Sequence, residues 1–180
     1  MPTVGPVVLR VAQILGAAVL FKDYVAEAAV CSGDSMLPTL RSQGDMLLIE
    51  KLSTALGSIR RGDVVVCASP SDPTKLICKR VIGLENDLVA THYGGIFTSH
   101  QQVPPGHLWI EGDNSARSHD SRDFGPVPCG LLRGRALCKV RLARVGSDML
   151  FITCPDMAAL RVWPAPKSEV AGSQWGGDHP

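Results

Sequence analysis

Apolar residues are laid out along this chain in two ways. From Val4 to Phe21 they form one block, interrupted by Arg10 and Gln13. Beyond residue 45 they come in short runs, rich in β-branched side chains and bounded by turn formers. Met46 to Glu50, Asp63 to Ala68, Leu76 to Leu84, Asp87 to His92, His107 to Glu111 and Ala136 to Leu142 each predict a strand. Many short strands without intervening helices predict an antiparallel or mixed sheet that can roll into a barrel.

The first block is close to the length a bilayer requires, although one arginine and one glutamine make it marginal. A single membrane-anchoring helix is the favoured reading. A cleaved secretory signal, with a small-residue site around Ala26 and Ala28, and a buried or interfacial helix are the alternatives. Lys22 to Val30 reads as a helix end or connector. Two loops stand out from the strand pattern. One is the two-proline turn Ser69-Pro70-Ser71-Asp72-Pro73, and the other is the polar stretch GDNSARSHDSRDFG from Gly112 to Gly125. The tail from Pro164 to Pro180, rich in Gly, Pro, Ser and charge, predicts disorder. The expected division is an apolar anchor over 1–30, a catalytic domain over 31–150 and a largely disordered tail over 151–180.

Composition adds mostly exclusions. A chain of 180 residues with a formal net charge of +1 suits one domain. It lacks the clustered basic face of a nucleic-acid binder. The six cysteines (Cys31, Cys67, Cys78, Cys129, Cys138 and Cys154) have no C-x-x-C pair and no completing histidine pair, so no metal or cofactor is expected. They read as free and mostly in the core.

Candidate chemistry starts at Ser35, in the glycine- and proline-punctuated loop Cys31 to Leu40. A serine hydroxyl becomes a useful nucleophile only when a base removes its proton. The base candidate is Lys79. Strand alternation puts it on one face with Ile77 and Val81, while Arg80 shares the other with Cys78 and Ile82. Apolar surroundings disfavour the ammonium form, and bringing a lysine amine down to near neutrality takes on the order of 4 kcal/mol. In the polar loop, Ser118 can hold the amine toward Ser35, and Asp113, Asn114, Asp120 and Arg122 can tie the loop down. None of the five histidines stands in a nucleophile-elbow or metal motif.

Four blocks in order, SGDSMLPTL (Ser32 to Leu40), RGDVVV (Arg61 to Val66), KRVIG (Lys79 to Gly83) and GDNSARSHDSRDFGPV (Gly112 to Val127), resemble the type I signal peptidases of the Ser/Lys-dyad class. PSDP, ICKRVIGLE, VPPGHLWIEGDN and the run from Gly125 to Arg135 make the likeness closer to the mitochondrial inner-membrane members of that family. The resemblance implies a mainly β, signal-peptidase-like (LexA-like) fold with an N-terminal membrane-anchoring helix. It implies a serine endopeptidase with Ser35 as nucleophile and Lys79 as general base. Ser118 would orient the lysine, Asp120 and Arg122 would form the supporting pair, and Gly112, Asp113 and Asn114 the turn of the same block. Some bacterial members carry a serine two residues before the nucleophile that helps the oxyanion hole. Here that position is Gly33, so the hole must rely on backbone or another group.

The resemblance further implies an inner-membrane location with the β domain facing the intermembrane space. Expected partners are precursors with cleavable sorting signals, a homologous second catalytic subunit in a heterodimer, and membrane lipid, but no nucleic acid. A self-cleaving LexA-type regulator is disfavoured by the short apolar stretch before Ser35. A secretory-pathway signal peptidase is disfavoured by Lys79, where that form generally has histidine. A catalytically silent scaffold subunit is the standing alternative.

Overall fold

The computed structural model describes residues 4–93, 97–145, 148–154 and 170–171. The first apolar block forms helix α1 (Val4–Tyr24), with apolar residues such as Val8, Ile14, Leu15 and Leu20 exposed along its length. Among the described residues, no helix is long and apolar enough to cross a membrane.

Eleven strands follow in the described residues: β1 (Ala26–Cys31), β2 (Asp45–Glu50), β3 (Val64–Ala68), β4 (Leu76–Gly83), β5 (Leu88–Tyr93), β6 (Phe97–Gln102), β7 (His107–Glu111), β8 (Val127–Pro128), β9 (Leu132–Val145), β10 (Asp148–Cys154) and β11 (Val170–Ala171). Two short helices, α2 (Leu52–Ala55) and α3 (Ser121–Phe124), interrupt them. Eight strands make one antiparallel sheet in the order β1-β2-β9-β3-β4-β7-β8, with β10 also on β9, and β11-β5-β6 form a second. The mainly β expectation therefore holds. The long strand β9 is the spine, pairing in turn with β3, β2 and β10.

The sequence Val-Val-Val-Cys-Ala makes β3 a strand buried on both faces, as its unbroken apolar run requires. Val64 and Val66 enter a cluster with Met36, Leu40, Leu47, Ile49 and Ala136. Val65 and Cys67 enter another with Val81, Leu108, Ile110 and Val127. The alternation read for β4 is kept: Ile77 packs with the second cluster and Cys78 with the first. A third cluster of Ile82, Val89, Val103 and Trp109 joins the small sheet to the large one.

Several expectations change. The connector read over Lys22 to Val30 contains β1, an alanine-rich strand paired with β2 in unbroken register from Ala26↔Glu50 to Cys31↔Asp45. Alanine carries little strand signal of its own, and this pairing is what holds it extended. The boundaries expected after residues 30 and 150 consequently fall inside β1 and β10. β9 begins before Ala136, at Leu132, and β6 was not read from the pattern. In the tail, residues 170–171 pair with β5, while 155–169 and 172–180 lie outside the described residues. Of the cysteines read as mostly core, only Cys67 is fully buried among those described. Cys31, Cys78 and Cys138 are half-buried and Cys129 is exposed.

Candidate active site

The loop between β1 and β2 carries Ser35. Gly33, two residues earlier, has φ +116°, a backbone conformation that side-chain-bearing residues rarely adopt, and its N–H donates to the Ser42 carbonyl at 2.9 Å. Past Ser35, Met36 and Leu40 plug into the first core cluster and fix the loop to the sheet. Asn114 holds the loop from the other side: its N–H donates to the Ser35 carbonyl at 2.9 Å and its Nδ2 to the Asp34 carbonyl at 3.0 Å.

Lys79, on β4, is 3 % exposed. Its Nζ donates to Ser118 Oγ at 2.7 Å. Ser118 Oγ in turn donates to Asp120 Oδ2, which also accepts the Gly112 N–H at 2.8 Å. Arg122 closes the line through Nε on Asp120 Oδ1 at 2.8 Å and a second nitrogen on Oδ2 at 2.6 Å. Asp120 caps α3 in a reciprocal capping box with Asp123, so the polar loop is a built element and not a solvated excursion.

Electrostatics follow from this arrangement. Burial pushes the Lys79 amine below its ordinary range, and Arg122 adds to that, while Asp120 and the neighbouring thiols pull the other way. For Asp120, burial alone would raise the carboxyl. The hydrogen bonds from Arg122, the Gly112 amide and Ser118 outweigh it and hold Asp120 below the usual carboxylate range.

Ser35 and Lys79 line one cleft of about 210 Å³, walled by β1 residues Ala29 to Cys31, by Met36, Leu40 and Val66, and by β4 residues Leu76 to Cys78. Gly112 is the packing point beneath it. A Cβ built there would come within 2.2 Å of Ser118 Oγ and 2.5 Å of the Ser35 carbonyl oxygen, so this contact leaves room only for hydrogen.

The structure brings Lys79, Ser118, Asp120, Arg122 and Gly112 into one hydrogen-bonded line, with Asn114 bonded to the Ser35 loop and Gly33 lining the same cleft. Asp113 sits apart from the lysine line: it accepts from Arg80 Nε at 2.8 Å and from a second Arg80 nitrogen at 2.7 Å, and also takes the Thr39 hydroxyl. Arg80 and Thr39 were not singled out, although an arginine inside an apolar strand is a visible oddity. Also unforeseen is an ion pair at 2.7 Å between Asp34 and Arg117, the residues preceding Ser35 and Ser118. His119 meets Asp123 at 3.0 Å and stacks edge-on against Phe124, outside this line.

A serine-bearing loop and a buried lysine line one cleft on a mainly β scaffold, and the family match places the chain among the peptidases of the signal-peptidase class. The chain matches the model for "Signal peptidase, peptidase S26" over residues 5–97 and 91–140, and it belongs to that family. It is 50 % identical over 119 residues to mitochondrial inner membrane protease subunit 1 of Homo sapiens, covering 66 % of this chain and 71 % of that one. It is 43 % identical over 118 residues to mitochondrial inner membrane protease subunit 2 of Danio rerio, covering 63 % of each. Among solved structures, a signal peptidase I from Enterococcus faecalis aligns at a TM-score of 0.37 and 23 % identity, covering 43 % of this chain and 95 % of that one.

Proposed function

We propose that this chain is a membrane-bound serine endopeptidase that removes sorting peptides from precursors delivered to the mitochondrial intermembrane space, with Ser35 as nucleophile and Lys79 as general base. The observation that carries this reading is the buried Lys79 amine, held by Ser118 in the cleft that Ser35 lines. Desolvation favours the neutral amine, the form that can accept a proton.

Lys79 takes the Ser35 hydroxyl proton as Oγ attacks the scissile carbonyl. The backbone N–H of Ser35 stabilises the resulting oxyanion, since Gly33 offers no side-chain donor. The tetrahedral intermediate expels the amine, which leaves with the proton from Lys79, and an acyl-enzyme remains. Lys79 then activates water to release the acid. Ser118, fixed by Asp120 and Arg122, orients the amine throughout.

Substrate fits as an extended strand. Among the described residues, β1 pairs only with β2, and residues 76–79 of β4 pair only with β3, so two open strand edges flank the cleft. The relatives' names support an inner-membrane protease assembled from two homologous subunits, with this chain as one of them. The exposed apolar surface of α1 would hold it to membrane lipid.

The test is precursor processing in mitochondria carrying wild type, Ser35→Ala or Lys79→Ala at matched abundance. Each variant is expected to lose on the order of 10³-fold or more in cleavage rate. Processing at the wild-type rate by both would overturn the dyad and leave a scaffold subunit.

A further inference from the structure

Two thiols stand in the cleft without a part in the mechanism above. Cys31 ends β1 and Cys78 lies in the half of β4 that β7 does not cover. Both are free, both are half-buried, and both line the cleft beside Ser35 and Lys79. Their strands are not hydrogen-bonded to each other. Both cysteines nevertheless pack against the same apolar cluster of Met36, Leu40, Leu47 and Val66, which makes the two thiols neighbours within the cleft.

We propose that Cys31 and Cys78 are a dithiol modification site for small-molecule disulfides such as oxidised glutathione, and that the disulfide they form closes the substrate cleft. Thiols that line one cleft and pack on one cluster, on strands that no ladder ties together, can reach bonding distance while each strand stays paired to its sheet neighbour. Cys31 is the attacking thiol. The Cys78 hydrogen bond holds Cys31 below the ordinary thiol range, outweighing burial and the nearby Asp45 carboxylate. Cys67, by contrast, is pushed up to about 12 by burial.

The Cys31 thiolate attacks one sulfur of oxidised glutathione, forming a mixed disulfide and releasing one glutathione thiolate. Cys78 then loses its proton and its sulfur attacks the Cys31 sulfur, expelling the second glutathione thiolate. The two cysteine protons end on the two glutathiones, and the electron pair lost by the dithiol reduces the glutathione disulfide. The new bond ties the β1 wall of the cleft to the β4 wall, across the gap an extended peptide must enter. This consequence rests on the peptidase reading and on substrate lying between those edges.

The experiment takes the full-length protein in detergent, equilibrated in glutathione buffers from fully reduced to fully oxidised. It reads precursor cleavage alongside disulfide mapping by mass spectrometry. Wild type is expected to form the Cys31–Cys78 bond and to lose activity in proportion to the bridged fraction, about tenfold when nine-tenths is bridged. Cys31→Ser and Cys78→Ser, each compared only with itself, should cleave equally in both buffers, whatever their own rates. Mapping is repeated on Ser35→Ala, where bond formation does not depend on activity. Absence of the Cys31–Cys78 bond in oxidised protein, or undiminished cleavage with the bond formed, overturns the proposal. Absence of cleavage by fully reduced wild type counts against the peptidase reading instead, and the mapping still decides the dithiol.

Discussion

Lys79 sits between two charges that act on it in opposite senses. Asp120 favours its ammonium form, while Arg122 and burial favour the neutral amine. The rate of a reaction that needs the neutral amine rises with pH through the lysine's depressed pKa. Asp120→Asn should move that limb to lower pH and Arg122→Gln should move it to higher pH, read from peptide cleavage across a pH series. Shifts in the same direction would contradict the arrangement. Stability follows the same linkage. Because folding lowers this pKa, the native state binds fewer protons between the folded and unfolded values, and stability rises with pH over that window. Lys79→Met should abolish the rise in Tm over that range. Ser118→Ala, which removes the hydroxyl receiving Nζ, should cost on the order of 10²-fold in kcat/KM while leaving Tm nearly unchanged.

At the level of elements, the two loops and β4 are locked by a buried ion pair. Arg80 and Asp113 have side chains only 5 % exposed, and Arg80 also reaches the Gly62 carbonyl at 2.8 Å. Arg80→Ala leaves the Asp113 carboxylate buried without its guanidinium, and should cost about 3–5 kcal/mol in urea unfolding. Arg80→Lys should recover only part of this, since an ammonium cannot make the two-pronged contact. Strands whose own residues carry the signal were legible: the apolar run of β3, and His107–Glu111 to the residue. β1 was not, because an alanine-rich segment beside a helix is extended only through its partner β2. The catalytic candidates were legible as motifs, and their mutual support in part. The Asp120–Arg122 pair is local in sequence, whereas the Asp34–Arg117 and Arg80–Asp113 contacts join segments that no spacing rule relates.

For the whole molecule, α1 is tied to the sheet at its C-terminal end, where Lys51 Nζ donates to the Lys22 and Asp23 carbonyls, and its apolar residues lie in solvent, as in Ile14 at 68 % exposure. A chain lacking residues 1–24 should stay in the supernatant when membranes are pelleted, while the full chain pellets. Equal distribution would remove α1 as the membrane-binding element. Resistance of the full chain to alkaline carbonate would mark a spanning helix, and release would mark one lying in the interface.

The hydrogen bonds from Asn114 to the Ser35 loop make the cleft depend on segments far apart in the chain. Ser35 and Asp34 lie 79 and 80 positions before Asn114, and Gly112 packs against the Ser35 carbonyl in the same segment whose Ser118 receives the lysine. No contiguous fragment ending before the polar loop contains the whole line from Lys79 through Ser118 to Asp120. The cleft is therefore complete only when the segment from Gly112 to Asp120 has folded back onto the Ser35 loop and β4.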